Sequence, residues 1–228
     1  MKKNWLHLSV ILLFTFISVI AVAQTPSSAN YSFTTATNAS LVADMNGNAI
    51  DMSTGTQLIG ASQDDVTSSV VNIGFDFWLM GVRFTQFSTN SNGVIKLGST
   101  GVSGLTYTAS GGTSTSPIIS AFASDLSTGP SGSVKYKVVG TAPNRCLVIE
   151  HSGMTIYYAA TLTTDGTFQT RFYETTGVIE FVYGGMKVTT SSDAFLTTTN
   201  VGFSTGIVNN TYISVNTATN SPNITGGF

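Results

Sequence analysis

The chain carries a single cysteine, Cys146, so no internal disulfide can form and a disulfide-stapled scaffold is excluded. Histidine is nearly as scarce. His7 lies in the leader described next, which leaves His151, and one His with one Cys cannot furnish a standard zinc site. Charged residues make up only 9% of the chain, and eleven acids outnumber nine bases. That balance leaves no basic footprint for nucleic acid or an anionic membrane. After residue 23 no helical period of useful length occurs, and no apolar run is long enough to span a bilayer. Stability must come from a core built of short strands.

What is present begins with an export signal. Lys2 and Lys3 precede the apolar stretch 6–22, and Ala21-Val22-Ala23 supplies a small-x-small cleavage pattern. Cleavage there makes Gln24 the mature N-terminus, and no Cys follows Ala23 to carry a lipid. The remaining 205 residues hold seven bases against eleven acids, enough chain for one large β domain or two small ones. The organisation expected is a signal peptide at 1–23, a β-sandwich domain at 24–215, and a flexible tail or the start of a linker at 216–228. Thr, Ser, Gly and Asn dominate the polar residues, but aromatic and β-branched clusters interrupt them, which disordered chains lack. The expected destination is secreted or cell-surface.

A period of two governs wherever a pattern exists. Phe75-Asp76-Phe77-Trp78-Leu79 puts Phe75, Phe77 and Leu79 on one face. Met80-Gly81 is a two-residue turn, so Leu79 should face Val82, Phe77 should face Phe84, and Trp78 should face Arg83, with Val82, Phe84 and Gln86 inward. Asn92-Gly93 signals a second hairpin into Val94-Ile95-Lys96-Leu97. Val134, Tyr136 and Val138 alternate with Lys135 and Lys137, turn at residues 140–144, and return through 145–150. A further hairpin joins residues 168–173 to 178–183 and brings Arg171 beside Glu180, an ion pair worth only a few tenths of a kcal/mol if exposed. Parity predicts one core containing Phe75, Phe77, Phe84, Phe168, Phe172, Ile179 and Phe181. The fold class expected is all-β, an antiparallel, jelly-roll-like β-sandwich. Residues 99–116 and 189–200 read as polar loops.

An ordered series of motifs runs through these strands: Tyr31-Ser32-Phe33, Asp64-Asp65, Ile73-Gly74-Phe75-Asp76-Phe77, Phe84-Thr85-Gln86-Phe87 and Asn90-Ser91-Asn92-Gly93. It continues with Ile118-Ile119-Ser120-Ala121-Phe122 and Asp125, residues 140–145, Phe168-Gln169, Tyr173-Glu174 and residues 179–184. The series resembles the N-terminal β-sandwich domain of large secreted Bacteroidota-type surface proteins, which often precedes fibronectin-like repeats and a type IX secretion sorting domain. The Asn-Gly followed by Ala-Phe-x-x-Asp is similar to nidogen-like extracellular domains. The resemblance covers most of residues 31–206 and implies an adhesin-like or matrix-associated architecture. No sorting domain is present in this sequence.

The search for catalytic chemistry is negative. Gly202-Phe203-Ser204-Thr205-Gly206 has the G-x-S-x-G spacing, but a turn and strand pattern follows it rather than a helix, and His151 precedes the Ser. Glu150 and His151 are strand neighbours and point to opposite faces. Asp64, Asp65, Asp125, Glu150 and Glu174 are scattered across turns, with nothing to bring two together on a groove. Asp64 and Asp65 read as turn or capping acids. For a metal, Asp44, Asn46, Asn48 and Asp51 offer oxygens at i, i+2, i+4 and i+7 that could wrap calcium. The pattern lacks the glycine at the sixth position and the distal Glu, and it also reads as a plain Asn-Gly turn. No other cofactor is implied.

Trp78 stands apart. It should share the outer face with Asp76, with Arg83 opposite it within cation–π reach. An outward aromatic between an Arg and an Asp is how a sheet can bind a sugar or a protein partner. It is also an ordinary cross-strand pair. The expected function is a non-enzymatic extracellular module for adhesion, glycan or protein binding, or for structure. The alternative is a carbohydrate-binding-like accessory domain of a longer secreted hydrolase.

Overall fold

The computed structural model describes residues 27–108, 115–156, 166–186, 200–206, 212–216 and 221–225. The export signal expected at 1–23 lies outside them. Twelve strands and two short 3-10 turns account for the regular structure, and no α-helix occurs among the described residues. The strands are β1 (Thr56–Ile59), β2 (Val71–Leu79), β3 (Val82–Thr89), β4 (Ile95–Leu97), β5 (Ile118–Ala123) and β6 (Ser127–Val139). They continue with β7 (Cys146–Thr155), β8 (Gly166–Tyr173), β9 (Ile179–Tyr183), β10 (Asn200–Ser204), β11 (Tyr212–Asn216) and β12 (Ser221–Thr225). One sheet runs β1-β6-β7-β8-β9 and the other β12-β11-β10-β5-β4-β3-β2, every pairing antiparallel. The expected all-β sandwich is the fold.

The alternation of β2 decides its placement. Ile73, Phe75, Phe77 and Leu79 are buried while Asn72, Asp76 and Trp78 are exposed. Buried residues from both sheets meet in the main core, among them Ile73, Phe77, Phe87 and Ile119 from one and Val134, Leu147, Ile149 and Phe172 from the other. Phe77 and Phe172 touch edge to face across the interface with centroids 4.9 Å apart. Each such ring contributes roughly 2–3 kcal/mol through burial.

The hairpin register matches expectation in Leu79 with Val82, Phe77 with Phe84 and Trp78 with Arg83. Two of the inward assignments do not hold. Val82, at the turn, is 41% exposed. A β-bulge between Asn72 and Phe77 shifts the pairing, so Gln86 faces Asn72 and Phe87 takes the core position instead. The single core also divides. Phe168 packs with Ala121, Phe122, Leu126, Met154 and Ile156 in a separate cluster at one end, because it lies two strand repeats beyond Phe172. Within the stretch 216–228, Ser221–Thr225 pairs with Tyr212–Asn216 as an edge strand. Pro222 concealed it from the pattern, and an edge is where a strand tolerates proline.

Residues 40–54, before β1, form a strap over the outer face of the five-stranded sheet. Ile50 and Met52 cover Val139, Cys146, Val148 and Tyr173. Arg171 fastens this strap. Its guanidinium donates to the carbonyls of Ser40 (2.6 Å) and Ala43 (3.1 Å), to Gln169 Oε1 (2.9 and 2.7 Å) and to Glu180 Oε2 (3.0 Å). The Arg171–Glu180 pair therefore exists in the expected register but is buried, with the arginine side chain 1% exposed. Tyr173 donates to the same Glu180 oxygen at 2.7 Å and accepts from the Met45 amide at 3.1 Å.

Candidate functional site

The outer face of the β2–β3 hairpin carries the first candidate. Met80 and Gly81 both have positive φ, 54° and 73°, the type I′ geometry that matches strand twist in a two-residue hairpin. Trp78 is 53% exposed. Arg83 stands opposite it, but its guanidinium turns to Asp76, Nε to Oδ2 at 2.7 Å. The arginine's hydrogen bond holds the Asp76 carboxyl below the usual carboxylate range. The cation–π contact found among the described residues is Arg145 over Phe75, 5.5 Å from the ring centroid.

Beside Asp76 the bulge opens a shallow cleft of about 260 Å³ lined by Asn72, Gly74, Phe75, Asp76 and Thr85. Gly74 adopts φ 95°, a conformation side chains resist, and a Cβ there would approach Val138 Cγ2 to 3.1 Å. Arg145 contacts two of the lining residues, Gly74 and Phe75. It donates to the Gly74 carbonyl (2.9 Å) and grips Glu174 through Nε and Nη2 at 2.8 and 2.5 Å. That fork keeps Glu174 ionised well below its ordinary value.

A second candidate lies about 25 Å away, at the far end of β3. Carboxylate oxygens of Asp64, Asp65 and Asp125 lie within 4.8 Å of one another. Three of the five acids expected to stay scattered thus converge, and the agent is the buried Asn90–Gly93 turn. Asn90 Oδ1 accepts from the amides of Asn92 (3.1 Å) and Val94 (2.9 Å), closing the turn. Asn92 Oδ1 accepts from the Leu126 amide (2.7 Å), which sets Asp125, while Asn92 Nδ2 donates to Asp65 Oδ1 (3.0 Å). Gly93 has φ 78°, and any Cβ would stand 2.0 Å from the Phe122 carbonyl oxygen. Asp64 and Asp125 are pushed up by burial and by the neighbouring acids. Tyr107, donating to Asp65 Oδ1 at 2.9 Å, is pushed up to about 12, by loss of solvent and then by that bond. An all-oxygen set of this kind suits calcium or magnesium. The three contributing motifs stand up to 61 residues apart, and only the ordered series 64–65, 90–93 and 118–125 carries a trace of their meeting.

The calcium candidate at 44–51 folds as a turn. Asp44 is buried, and its Oδ1 accepts from the amides of Asn46 (3.0 Å) and Asn48 (2.7 Å) while Oδ2 accepts from Asn48 Nδ2 (2.9 Å). Asp51 caps the 3-10 turn Met52–Thr54 through the Ser53 amide. The two carboxylates therefore serve different backbone groups. His151 is fully buried, stacked on Phe168 at 4.8 Å, with Nε2 3.2 Å from the Asn90 carbonyl; it therefore donates there from Nε2. Ser204 ends β10, paired with Ile118 and Tyr212.

No curated protein and no solved structure matches the chain. The nidogen-like motifs noted in the sequence have a counterpart in a family model. The model described as NIDO related matches residues 30–227, and the chain belongs to that family.

Proposed function

We propose that the protein is a non-catalytic extracellular module that engages its partner through the outer face of the β2–β3 hairpin, around Trp78, Asp76 and Arg83. One observation carries the reading: the tryptophan stands half exposed on a tight two-residue hairpin, beside an ion pair, on a strand whose other face is fully committed to the core. A large exposed aromatic of this kind is the usual anchor of an interface. Family membership supports an extracellular module. The leader and the ordered motif series support export and a surface protein of the Bacteroidota type, and adhesion is the role such a surface would serve. The buried, desolvated His151 and the strand-locked Ser204 support the absence of hydrolytic chemistry. The test is a binding screen against extracellular matrix proteins and a glycan array, repeated with Trp78→Ala. The variant should lose about 2 kcal/mol or more of any specific affinity while its melting curve moves little. A specific partner bound equally well by the variant would refute the site.

A further inference from the structure

Resting on that reading of the hairpin face, we infer that its ligand is a neutral saccharide, with one pyranose ring laid on Trp78 and hydroxyls reaching Asp76, Arg83 and the adjoining cleft. A pyranose presents an apolar face of axial C–H bonds and a rim of hydroxyls, each both donor and acceptor. Its complement is an aromatic plate beside planar polar groups of both kinds. The β2–β3 face has that composition. Trp78 and Asp76 are two residues apart on one side of β2, about 7 Å along the strand, the span of one sugar unit. Arg83 supplies donors and Asp76 acceptors, locked together through Nε and Oδ2 with about half of each side chain open to solvent. Vicinal hydroxyls can bridge such a pair in the way a second carboxylate or guanidinium would.

The cleft extends the site in the same chemistry. Asn72, Thr85 and Asp76 line it with amide, hydroxyl and carboxylate, beside the backbone of Gly74. Its volume of about 260 Å³ is below the ~300 Å³ at which drug-sized ligand pockets begin, which suits a single sugar unit of a longer chain. The charges decide between neutral and ionic ligands. Asp76 is matched by Arg83 and Glu174 by Arg145, so the face has no net charge to attract a polyanion or a polycation. Trp78 and its exposed neighbour Val82 are flanked by an ion pair, an amide and a hydroxyl, a mixed surface that a sugar matches more closely than the desolvated centre of a protein hot spot does.

The experiment is calorimetric titration of the exported chain with cellohexaose, xylohexaose, mannohexaose and chitohexaose, with a heparin octasaccharide as the anionic control. At least one neutral hexasaccharide should bind, with affinity unchanged between 0.05 and 0.5 M salt on the order of a factor of two. Trp78→Ala should weaken it about thirtyfold or more, Arg83→Ala and Asp76→Asn about tenfold each, and Trp78→Phe, which keeps an aromatic face and guards against misfolding, less than about fivefold. If no neutral probe binds, if binding ignores Trp78→Ala, or if only heparin binds and fades with salt, the saccharide assignment is overturned. Should a matrix protein then depend on Trp78, the face stands as the binding site with a protein ligand. If nothing bound by the chain depends on Trp78, both readings fall.

Discussion

Arg171→Met is the sharpest test of how the fold is held. The native guanidinium is 1% exposed and donates to two strap carbonyls, to Gln169 and to Glu180. Methionine fills most of the volume but donates nothing, so the Ser40 and Ala43 carbonyls, Gln169 Oε1 and a partly buried carboxylate lose their donor together. Breaking one side of a buried pair costs about 3–5 kcal/mol. For a domain of this size that is a fall in Tm of roughly 6–20 °C. Arg83→Ala removes a cross-strand ion pair of the same type at a position 54% exposed, and its Tm should not move measurably. Thermal unfolding of the two variants side by side, with limited proteolysis across residues 40–54, supplies the assay. Arg171→Met should also speed cleavage in the strap. A loss below about 1 kcal/mol, or an equal loss from Arg83→Ala, would refute the claim that burial and carbonyl satisfaction set the value of these pairs.

Acid should weaken the domain through His151, whose pKa burial lowers to about 4 from an ordinary 6.5. A depressed pKa contributes stability that is complete above about 6.5 and is lost as the pH falls through about 4, roughly 3 kcal/mol in all. Denaturant titrations from pH 7.5 to 4 should show that slope, and His151→Gln should flatten it; an unchanged slope would exclude His151 as its source. Asp125→Asn should act in the opposite sense at the acidic end. Burial and the neighbouring acids raise Asp125, so its charge opposes folding at neutral pH, and the variant should melt higher than the parent at pH 7.5. That advantage should shrink as acid protonates the native carboxyl, and a lower Tm at pH 7.5 would contradict it.

The sequence made the β2–β3 hairpin legible because three local signals agree there: strict alternation, a two-residue turn, and aromatic pairs that meet in only one register. The same logic misplaced Gln86, since a bulge changes parity without any residue type announcing it beyond Gly74. Arg171 beside Glu180 was readable, but its burial was not. The atoms that cover it are main-chain carbonyls of residues 40 and 43, and every residue has one. The acidic cluster escaped for a similar reason. Its members are joined by Asn90 and Asn92 side chains acting on distant backbone, which periodicity cannot see. Parity places Phe168 inward, as the structure has it, but parity alone does not tell one end of the sandwich from its middle.

The strap has a kinetic consequence. Ser40 and Ala43 reach Arg171, and Leu41 reaches Gln169, across 128 to 131 positions of chain. Their landing surface is β7, β8 and β9, which leave a ribosome or a translocation pore long after the strap itself has emerged. Closing so large a loop has to wait until those strands are paired, because only then is there anything to repay its entropy. A segment synthesised early is expected to be seated late. Protection of residues 40–54 from a protease or from hydrogen exchange therefore marks the moment at which the whole sandwich is finished.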